Sequence, residues 1–471
     1  MKASVILLLA MLGGWYSSHH ASPAVASEES GPHEFQATGP TEPVQLAPRQ
    51  NGVVRVSFDL LPTTMSFDLP SFPCLVTENG IKYSNFWAET YDPRQWRGEG
   101  GLASFEPLMD RKNRYARMWI EHKSNARIVV RVRGALCNAE GDIAHTDFPS
   151  KSPYGPGDWV DEWYTIYPDG VHARHVKVYT GLAPRSRPFG IAHDPPKVNH
   201  EFQEAAVIGK EGTLPTDNIE TEALTLVRLN RGHPSDWVAE GISGTISYKP
   251  YPTDFGDLRD ANIMLVNLKS EYKPFTIGMP YGVRVSPYMS RDPLPHVFQT
   301  WGNTSALAHM INYWHHRRTD NTLEQIYLQG MTNAEEPVEY LVDLAWSWIA
   351  DPVLYMKGES RDYSYDLRYD HAQRAYIIPR EGRGPTKLEF ALEENADIVD
   401  FGAESWIFNP CFVVKDWGET GAKLKVNGKA VQPGTGFRVG HEKNNTGTDL
   451  VLWLKLKTRA TVEFEIAPQS G

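Results

Sequence analysis

The chain is poor in cysteine, in net positive charge and in long apolar runs. Its 471 residues include 3 cysteines, which exclude a disulfide framework or a cysteine-based zinc site. The formal net charge of −11 argues against nonspecific nucleic-acid binding. No apolar run reaches the roughly 20 residues that a membrane-spanning helix needs. These absences predict no nucleic-acid partner and no membrane span, and Cys74, Cys137 and Cys411 allow at most one disulfide.

Sequence motifs for nucleotide binding and for nucleophilic catalysis are also missing. The chain has no P-loop, no GxGxxG fingerprint, no GxSxG elbow and no kinase signature. We therefore predict that no organic cofactor is required. A bound metal ion stays open, because histidines cluster between His309 and His316 without the spacing of a known zinc motif.

The N-terminus resembles the start of an exported protein. An apolar stretch follows Lys2, and residues 24–26 read Ala-Val-Ala, with small residues at the two positions that a signal peptidase recognises. We predict a signal peptide over residues 1–26 and a secreted or periplasmic mature protein. Residues 27–50 are polar and rich in proline, and are predicted to form a flexible lead-in.

Strand patterns dominate the chain from residue 51 onward. Short runs rich in Val, Ile, Tyr and Trp are bounded by Gly, Pro, Asn or Asp, as in VVRVSFDL, ARIVVRVRGAL and EALTLVRL. No helical stretch interrupts these runs before residue 304, which favours antiparallel sheets over βαβ units. We predict a mainly β protein whose main domain is a large antiparallel β-sandwich over residues 51–303.

A helical pattern replaces the strand pattern over residues 304–350. SALAHMINYWHHRR, NTLEQIYLQGM and PVEYLVDLAWSWIA carry apolar residues three and four apart, and Pro337 suits a helix start. Strand patterns then return, with an Asn427-Gly428 turn between two strands. Residues 351–471 are predicted to form a smaller C-terminal β-sandwich.

The segment GDWVDEWYTIYPDGVHARHVKVY, residues 157–179, is the most informative part of the chain. Its Pro-Asp-Gly sequence is typical of a tight turn between two strands. With a bulge at the glycine, the register pairs are Tyr167 with Val171, Ile166 with His172, Tyr164 with Arg174, and Glu162 with Val176. One sheet face then carries an acid, a phenol, an imidazole and a guanidinium, namely Glu162, Tyr164, His172 and Arg174. Such a mixture indicates chemistry or ligand binding rather than a core.

These side chains suit elimination from a uronic acid. The reaction needs a group that neutralises the carboxylate, a base for the C5 proton and an acid for the leaving oxygen. The planar guanidinium of Arg174 suits the first task, and His172 and Tyr164 suit the other two. The alternative interpretation is a cross-strand ion pair between Glu162 and Arg174 on a solvated face.

Two further segments carry candidate site residues. Arg127, Arg131 and Arg133 share one strand face, where they would attract carboxylate or sulfate groups or be neutralised by neighbouring acids. In NHEFQEAAVIG, His200 lies beside Glu201 as a candidate base with its orienting group. A structural role is the better interpretation of a lone His–Glu pair.

Aromatic residues are plentiful, and their faces can stack on sugar rings. The chain has 14 Trp and 21 Tyr, and Trp301 lies near the polar candidates. On the predicted helix, His315 and His316 would border a cleft, with His309 on the same side. Core packing is the alternative for any single Trp, because sandwich cores also use aromatic residues.

Several stretches resemble a group of exported marine-bacterial proteins found among polysaccharide-degradation enzymes. They are GDWVDEWYTIYPDGVHARH, NHEFQEAAVIG, LPTDNIETEALTLVRL, DHAQRAYIIPR, NPCFVVKDWG and LKVNGKA. The group is similar to polysaccharide lyases and dehydratases that act on uronate-containing algal polymers such as ulvan. The resemblance covers most of residues 60–465. It implies a supersandwich catalytic domain, a C-terminal β-sandwich and β-elimination chemistry, but supplies no catalytic residue set.

We therefore predict a polysaccharide lyase that cleaves a uronate-containing polysaccharide or oligosaccharide by β-elimination. Arg174, helped by Arg133, would neutralise the uronate carboxylate. The predicted catalytic residues are Tyr164, His172, Arg174 and His200. The predicted substrate-binding residues are Arg131, Arg133, Glu162, Glu201, Trp301 and His315.

Three other functions stay open at this stage. A dehydratase would remove water from a terminal uronate by the same chemistry. A non-catalytic protein would only hold glycan on the hairpin face. A glycoside hydrolase would use Glu162 and Glu201 as a carboxylate pair, whose separation a sequence does not give.

Overall fold

Antiparallel strands make up most of the part of the chain that this computed structural model describes. The described residues are 44–49, 53–68, 73–85, 88–91, 104–110, 112, 114–147, 152–180, 200–201, 203–231, 236–279, 283–287, 297–298, 304–312, 316–317, 322–359, 368–380, 382–399 and 402–469. They form two β-sandwiches, with a helix packed against the first. The predicted fold class, mainly β with sandwich architecture, is confirmed.

The N-terminal sandwich has two large sheets and a small three-stranded sheet. Its strands are β1 (Val44–Arg49), β2 (Val53–Phe58), β3 (Thr64–Asp68), β4 (Cys74–Val76), β5 (Lys82–Ser84), β6 (Glu89–Tyr91), β7 (Ser104–Phe105), β8 (Arg117–Lys123), β9 (Ile128–Ala135), β10 (Trp159–Ile166), β11 (His172–Tyr179), β12 (His200–Glu201), β13 (Glu204–Gly209), β14 (Ile219–Asn230), β15 (Trp237–Ser247), β16 (Ile263–Leu268), β17 (Lys273–Gly278), β18 (Val283–Pro287), β19 (Val297–Phe298), β20 (Thr304–Asn312), β21 (His316–Arg317) and β22 (Thr322–Thr332). Short 3-10 helices lie at Pro107–Met109, Pro215–Asn218 and Gly256–Leu258.

The two large sheets pack face to face around one core. The nine-stranded sheet has the order β1-β2-β3-β4-β5-β13-β20-β18, with β19 beside β20. The ten-stranded sheet has the order β15-β14-β16-β17-β22-β11-β10-β9-β8, with β21 beside β22, and β12, β6 and β7 form the small sheet. Buried side chains between the large sheets include Phe67 and Met310 from the first and Ile128 and Val178 from the second.

The outer face of the ten-stranded sheet is partly covered by helix α1 (Pro337–Ile349). Proline suits the first helical position, because its fixed φ is already helical and its missing N–H is not needed there. The helix buries Leu344 and Trp348 against a cluster that includes Val227 and Phe275. Since α1 contacts β14, β15 and β16, it covers the end of the sheet away from β8 to β10. No helix within the described ranges is long and apolar enough to cross a membrane.

Two segments that were predicted as helices are strands. Of the predicted helical segment 304–350, only α1 is helical, because residues 304–312 form β20 and residues 322–332 form β22. β22 lies inside the ten-stranded sheet and is buried along almost its whole length. Its polar Gln325 and Gln329 therefore lie in the interior, and their spacing of four resembles a helical stripe. The large sandwich extends to residue 332 instead of ending at 303.

The predicted flexible lead-in is partly contradicted by the structure, whereas the predicted signal peptide is not tested by it. Residues 44–49, inside the predicted flexible lead-in 27–50, form β1 and pair with β2 along their whole length. That part of the lead-in prediction is wrong, because backbone pairing orders the segment. The predicted signal peptide, residues 1–26, lies outside the described residues. All three cysteines lie within them, and no disulfide joins any two.

The C-terminal β-sandwich is built from two five-stranded sheets. Its elements are β23 (Val353–Met356), β24 (Tyr369–Asp370), β25 (Ala375–Ile378), β26 (Leu388–Glu393), α2 (Ala396–Val399), β27 (Ile407–Phe408), β28 (Cys411–Val414), β29 (Ala422–Val426), β30 (Lys429–Val431), β31 (Phe437–Lys443), β32 (Thr448–Leu454), β33 (Lys457–Thr458) and β34 (Val462–Pro468). The sheet orders are β23-β26-β34-β29-β30 and β24-β25-β28-β32-β31, and β27 pairs with β33. Phe412, Leu452 and Phe464 pack in the core between the two larger sheets.

Buried ion pairs join the two sandwiches. Arg127 donates from Nε and Nη2 to the two carboxylate oxygens of Glu442 in β31, each at 2.7 Å. The tip of the β10–β11 hairpin also docks on the second sandwich, where Asp169 accepts a hydrogen bond from Asn409 at 2.7 Å and lies 3.5 Å from Arg374 Nη1. Arg127, which was predicted to share a ligand-attracting face, therefore belongs to the domain interface.

Candidate functional site

The β10–β11 hairpin has the register that its sequence predicts. Gly170 has a φ of 76°, and its N–H donates to the carbonyl oxygen of Tyr167 at 3.0 Å, as a tight turn at Pro-Asp-Gly requires. The observed pairs are Ile166 with His172, Tyr164 with Arg174, and Glu162 with Val176. One sheet face therefore carries the four residues that we call the hairpin quartet: Glu162, Tyr164, His172 and Arg174.

Hydrogen bonds hold the hairpin quartet together. Arg174 Nε donates to Glu162 Oε2 at 2.9 Å, and the Tyr164 hydroxyl donates to the same oxygen. The ring centroids of Tyr164 and His172 are 6.2 Å apart. The ion pair of the alternative interpretation is therefore present, with a phenol and an imidazole beside it.

The hairpin quartet faces the interior of the sandwich. Tyr164 packs edge-on against Phe67 of the nine-stranded sheet, with 5.1 Å between ring centroids. Tyr164, His172 and Arg174 are 0% exposed. The expectation that this face lies outside a core is wrong, because the second sheet covers it, and the ion pair is buried rather than solvated. The catalytic roles predicted for these three residues have no support in this arrangement, since a polymer must touch the groups that act on it.

Burial controls protonation within the hairpin quartet. Burial raises the pKa of Tyr164 well above its usual range, and Glu162 adds to the effect. Burial lowers the pKa of His172 to about 4, so the imidazole is neutral at pH 7. Burial also disfavours the charge of Arg174, but Glu162 outweighs it and the arginine pKa is raised. The quartet thus consists of one ion pair and two neutral rings at pH 7.

Polar side chains continue this layer across the interior. Gln329 of β22 interacts with His172 and donates from Nε2 to Gln203 Oε1 at 2.7 Å. Gln203 and Asn85, from the opposite side of the sandwich, both donate to Thr276 Oγ1, at 3.2 and 2.9 Å. All five side chains are buried. A hydrogen-bonded polar layer in a core specifies which strands face one another, because each group needs its partner.

Arg131 and Arg133 lie on the opposite face of the ten-stranded sheet. The register pairs Arg131 with Trp163 and Arg133 with Asp161, and these positions alternate with those of the hairpin quartet. The prediction that Arg133 helps Arg174 at one carboxylate is wrong, because the period of two in a strand puts the two guanidinium groups on opposite sides of the sheet.

Aromatic and cationic side chains surround these two arginines on the outer face, near the β8 edge. We call this group the outer platform, and its members are Trp119, Arg131, Arg133, Tyr154, Trp163, His175, Lys177 and Tyr179. The side chains of Arg133 and Lys177 are 19% and 18% exposed, against 0% for Arg174. The outer platform is therefore the face of the hairpin that a solute can reach.

One row of the outer platform alternates cationic and aromatic groups. The guanidinium carbon of Arg131 lies 5.6 Å from the ring centroid of Trp119 and 4.8 Å from that of Trp163. Trp163 stacks on His175, with 5.2 Å between centroids and 24° between planes. At the end of the row, His175 Nε2 lies 3.5 Å from Glu324 Oε2. Cation–π and stacking contacts join these groups across four neighbouring strands, and the contact with Glu324 extends the row to a fifth.

The second row is organised by one buried carboxylate. Asp161 accepts hydrogen bonds from Arg131 at 3.1 and 3.0 Å, from Arg133 Nε at 3.0 Å, and from the Tyr154 hydroxyl. The guanidinium carbon of Arg133 lies 3.5 Å from the centroid of the Tyr154 ring. Burial raises the pKa of Tyr154, and Asp161 raises it further, so the phenol is protonated at neutral pH.

Two predicted residues lie on the small sheet. The structure places His200 and Glu201 in β12, opposite Thr90 and Glu89 of β6. They therefore belong to neither face of the β10–β11 hairpin. Trp301 and His315 lie outside the described residues.

The predicted histidine-bearing helix face does not exist. His309 lies in β20 and His316 in β21, which belong to different sheets. The prediction treated two strands as one helix. The seven-residue spacing between His309 and His316 therefore does not place the two side chains on one face. Across the described ranges, no three side chains of His, Cys, Asp or Glu are grouped in a way that could hold a metal ion.

Sequence reasoning missed most of the outer platform. Alternation in β10 and β11 already placed Trp163 and His175 opposite the hairpin quartet, which was the available signal. The pairing of β9 with β10 was not available, because residues 136–158 separate the two strands and no turn motif fixes their register. Without it, Arg131 could not be matched to Trp163, nor could Tyr154 be placed.

Comparisons with known proteins give distant structural similarity only. No protein-family profile and no curated protein match the chain. Two structures of the α-N-acetylgalactosaminidase NagBb from Bifidobacterium bifidum, with Gal-NHAc-DNJ and with GalNAc, both align at a TM-score of 0.32, with 10% and 9% identity. These alignments cover 64% and 67% of this chain and 36% and 38% of the other. A structure described as a polysaccharide lyase aligns at a TM-score of 0.18 with 8% identity, over 88% of this chain and 46% of that one.

These similar structures are carbohydrate-active enzymes, a glycosidase and a polysaccharide lyase. The chain spans less than half the length of each. Similarity at this level identifies neither a family nor a site residue. The specific likeness to ulvan-degrading proteins stays a prediction.

Proposed function

We propose that this protein is a polysaccharide lyase that holds a uronate-containing, ulvan-like polysaccharide on the outer platform and cleaves it by β-elimination. One observation carries this proposal: aromatic rings and guanidinium groups share one accessible sheet face. Aromatic faces stack on sugar rings, and guanidinium groups bind carboxylates through paired N–H donors. A glycan without acidic groups would stack on the aromatic rings but would leave the guanidinium groups without a carboxylate to bind.

Arg133 is the best-placed binder of a substrate carboxylate. Among the described residues it bonds only through Nε, to Asp161, so its terminal amino groups are donors for an anionic ligand. Arg131 is held more firmly, by Asp161 and by Glu121 Oε1 at 3.1 Å. Neutralising the uronate carboxylate makes the neighbouring C5 proton more acidic, which is what elimination requires.

The proposed reaction needs no oxidant, reductant or organic cofactor. The C5–H and C4–O bonds break, a C4=C5 double bond forms, and the leaving oxygen gains a proton. We place the protein outside the cytoplasm, secreted or periplasmic, where acidic polysaccharides are encountered.

Absorbance at the unsaturated uronate band tests the proposal directly. Purified protein is mixed with ulvan, alginate, pectate and glycosaminoglycans, and we expect absorbance to rise with ulvan. A flat trace with all four, from protein with an intact circular dichroism spectrum, would exclude lyase activity on them. Mass spectrometry of the products separates chain cleavage from loss of water without chain shortening, the result expected of a dehydratase.

A variant of the outer platform tests where the substrate binds. Arg133→Ala should raise KM roughly 10- to 150-fold, since a charge-assisted hydrogen bond contributes about 1.5–3 kcal/mol. Arg368→Ala is the matched control, because Arg368 is 24% exposed and also paired with a carboxylate, but lies in the C-terminal sandwich. Equal KM values for the two variants would contradict the proposal that the substrate binds to the outer platform.

A non-catalytic glycan-binding protein is the second candidate. It is favoured by the burial of Tyr164, His172 and Arg174, which leaves the predicted catalytic set inside the fold. Calorimetric binding of ulvan that weakens with salt, together with no turnover of any substrate, would establish this function instead.

A further inference from the structure

We infer that His175, oriented by Glu324, is the catalytic base of the outer platform. This assignment rests on the proposed lyase function and deepens it, since the sequence-predicted base, His172, is fully buried. His175 follows His172 by three residues on the same strand and therefore lies on the opposite face. Its side chain is largely buried but keeps 11% of its surface exposed, whereas that of His172 has no access to solvent.

Two contacts fix the imidazole of His175 from different sides. The indole of Trp163 stacks on one face of the ring, at 5.2 Å between centroids. Glu324 Oε2 lies 3.5 Å from Nε2 on the neighbouring strand β22. A carboxylate at this distance stabilises the positive charge that the ring gains when it takes a proton. The indole face favours the same charged form.

Among the described residues, the charged side chains near His175 on its sheet face lie on four strands. Asp161 of β10 is paired with Arg131 and Arg133. Glu324 of β22 is negative, and its other oxygen, Oε1, lies 3.3 Å from Nζ of Lys177 on β11. Arg131 of β9 lies on the far side of Trp163, with its guanidinium carbon 4.8 Å from that ring centroid. Glu324 therefore lies within ion-pair distance of the imidazole, while the two cations are themselves paired with carboxylates, Lys177 with Glu324 and Arg131 with Asp161.

This arrangement places a base and a carboxylate binder on one surface. Arg133 and His175 lie on the same sheet face, on strands separated only by β10. With the uronate carboxylate on Arg133, His175 removes the C5 proton and its electron pair forms the C4=C5 double bond. The C4–O bond breaks, the leaving oxygen takes a proton from water, and His175 returns its proton to solvent.

Kinetics of His175 variants test the assignment. His175→Ala and His175→Asn should each lower kcat by about 100-fold or more while KM changes less than threefold, because a general base acts on the transition state. His441→Ala is the matched control: His441 lies in the C-terminal sandwich, with Nε2 3.0 Å from the Thr420 carbonyl oxygen, and should leave kcat unchanged. Circular dichroism confirms that each variant is folded.

Glu324, as a positioning residue, needs a different readout. Glu324→Gln keeps the shape of the side chain but removes its charge, so the acidic limb of kcat against pH should move to lower pH. A purely structural role would lower activity without moving that limb. This measurement also decides the assignment if both His175 variants fail to fold.

The outcomes separate the two proposals. Wild-type turnover with kcat retained in a folded His175 variant, or an unmoved limb in Glu324→Gln, overturns His175 as the base and leaves the lyase proposal standing. Absence of wild-type turnover on every acidic polysaccharide overturns the lyase proposal and the base with it. Turnover that is lost in the His175 variants while glycan binding persists supports both.

Discussion

At the scale of single residues, the two sandwiches carry charged pairs in two very different environments. Glu162 and Arg174 face each other between the two sheets, at most 10% exposed as side chains, while Lys443 and Glu419 form a similar pair that is 78% and 71% exposed. Water screens the second pair and barely reaches the first. Equal-looking ion pairs therefore have unequal consequences when one partner is removed.

Removing one charge of the buried pair should destabilise the fold strongly. Glu162→Gln leaves the guanidinium of Arg174 buried without its carboxylate, and we expect the free energy of unfolding to fall by about 3–5 kcal/mol. Urea denaturation followed by fluorescence measures it. Glu419→Gln is the control and should leave the denaturation midpoint unchanged. Equal midpoints for the two variants would contradict the buried pairing.

The buried imidazole should make stability depend on pH in a mildly acidic window. His172 has a folded-state pKa of about 4 against the ordinary 6.5, so between these values the unfolded chain binds a proton that the folded chain does not. The free energy of unfolding should therefore fall as pH is lowered, by about 2 kcal/mol between pH 7 and pH 5. His172→Gln should flatten this dependence, which urea titrations at several pH values would show. An unchanged slope in the variant would assign the effect to other groups.

At the scale of elements, the β10–β11 hairpin shows what could be predicted and what could not. Its register followed from local chemistry, because Pro168, Asp169 and Gly170 fix the turn and alternation does the rest. Which face points inward did not follow, because both faces mix polar and aromatic residues. That choice depends on Phe67, a residue far away in sequence, packing on Tyr164.

The failed helix predictions have a related cause. The period of apolar residues in a sequence distinguishes a strand from a helix only when one side of the element is buried and the other is exposed. β22 has almost no exposed side, so its sequence does not alternate as a strand with one exposed face would. Its Gln325 and Gln329 are polar because they join the interior hydrogen-bonded layer, not because they face water. α1 was predicted correctly because Pro337 marks its start and its apolar residues recur three and four apart, although Leu341 to Trp348 are all buried.

The hairpin turn can be tested with two glycines of similar backbone conformation. Gly170 and Gly428 have φ of 76° and 74°, but a Cβ at Gly170 would lie 2.3 Å from Leu61 Cδ1, whereas one at Gly428 meets no atom within 4 Å. Gly428→Ala should cost about 1–2 kcal/mol for the left-handed backbone alone. Gly170→Ala should cost about 1–3 kcal/mol more, because Leu61 must move. Thermal melts of both variants give the comparison, and equal costs would show that Leu61 yields freely.

At the scale of the whole molecule, the two sandwiches are joined by buried charge rather than by contact alone. Arg127 and Glu442 meet across the interface with side chains only 3% exposed, and Asp169 at the hairpin tip adds Asn409 and Arg374. An interface with buried, mutually dependent charges couples the stability of its two sides. The hairpin therefore links the outer platform, the interior layer and the second sandwich.

Coupling across this interface should be visible in calorimetry. The wild-type protein should unfold in one transition, and Glu442→Gln, which leaves Arg127 buried and unpaired, should separate it into two. Lys443→Gln, one residue away and 78% exposed, is the control and should keep the single transition. Two transitions already present in the wild type would show that the sandwiches unfold independently.

The interior polar layer has a consequence for how the chain reaches its fold. In a ten-stranded sheet, many misaligned strand pairings would bury similar amounts of apolar surface. Hydrophobic burial alone would therefore not favour the native register over these alternatives. If one of these strands were displaced by two residues, Arg174 would be buried without its partner Glu162. Such an unpaired buried charge costs several kcal/mol. The hairpin quartet thus penalises non-native registers during folding, because its buried charges are paired only when the strands are correctly aligned.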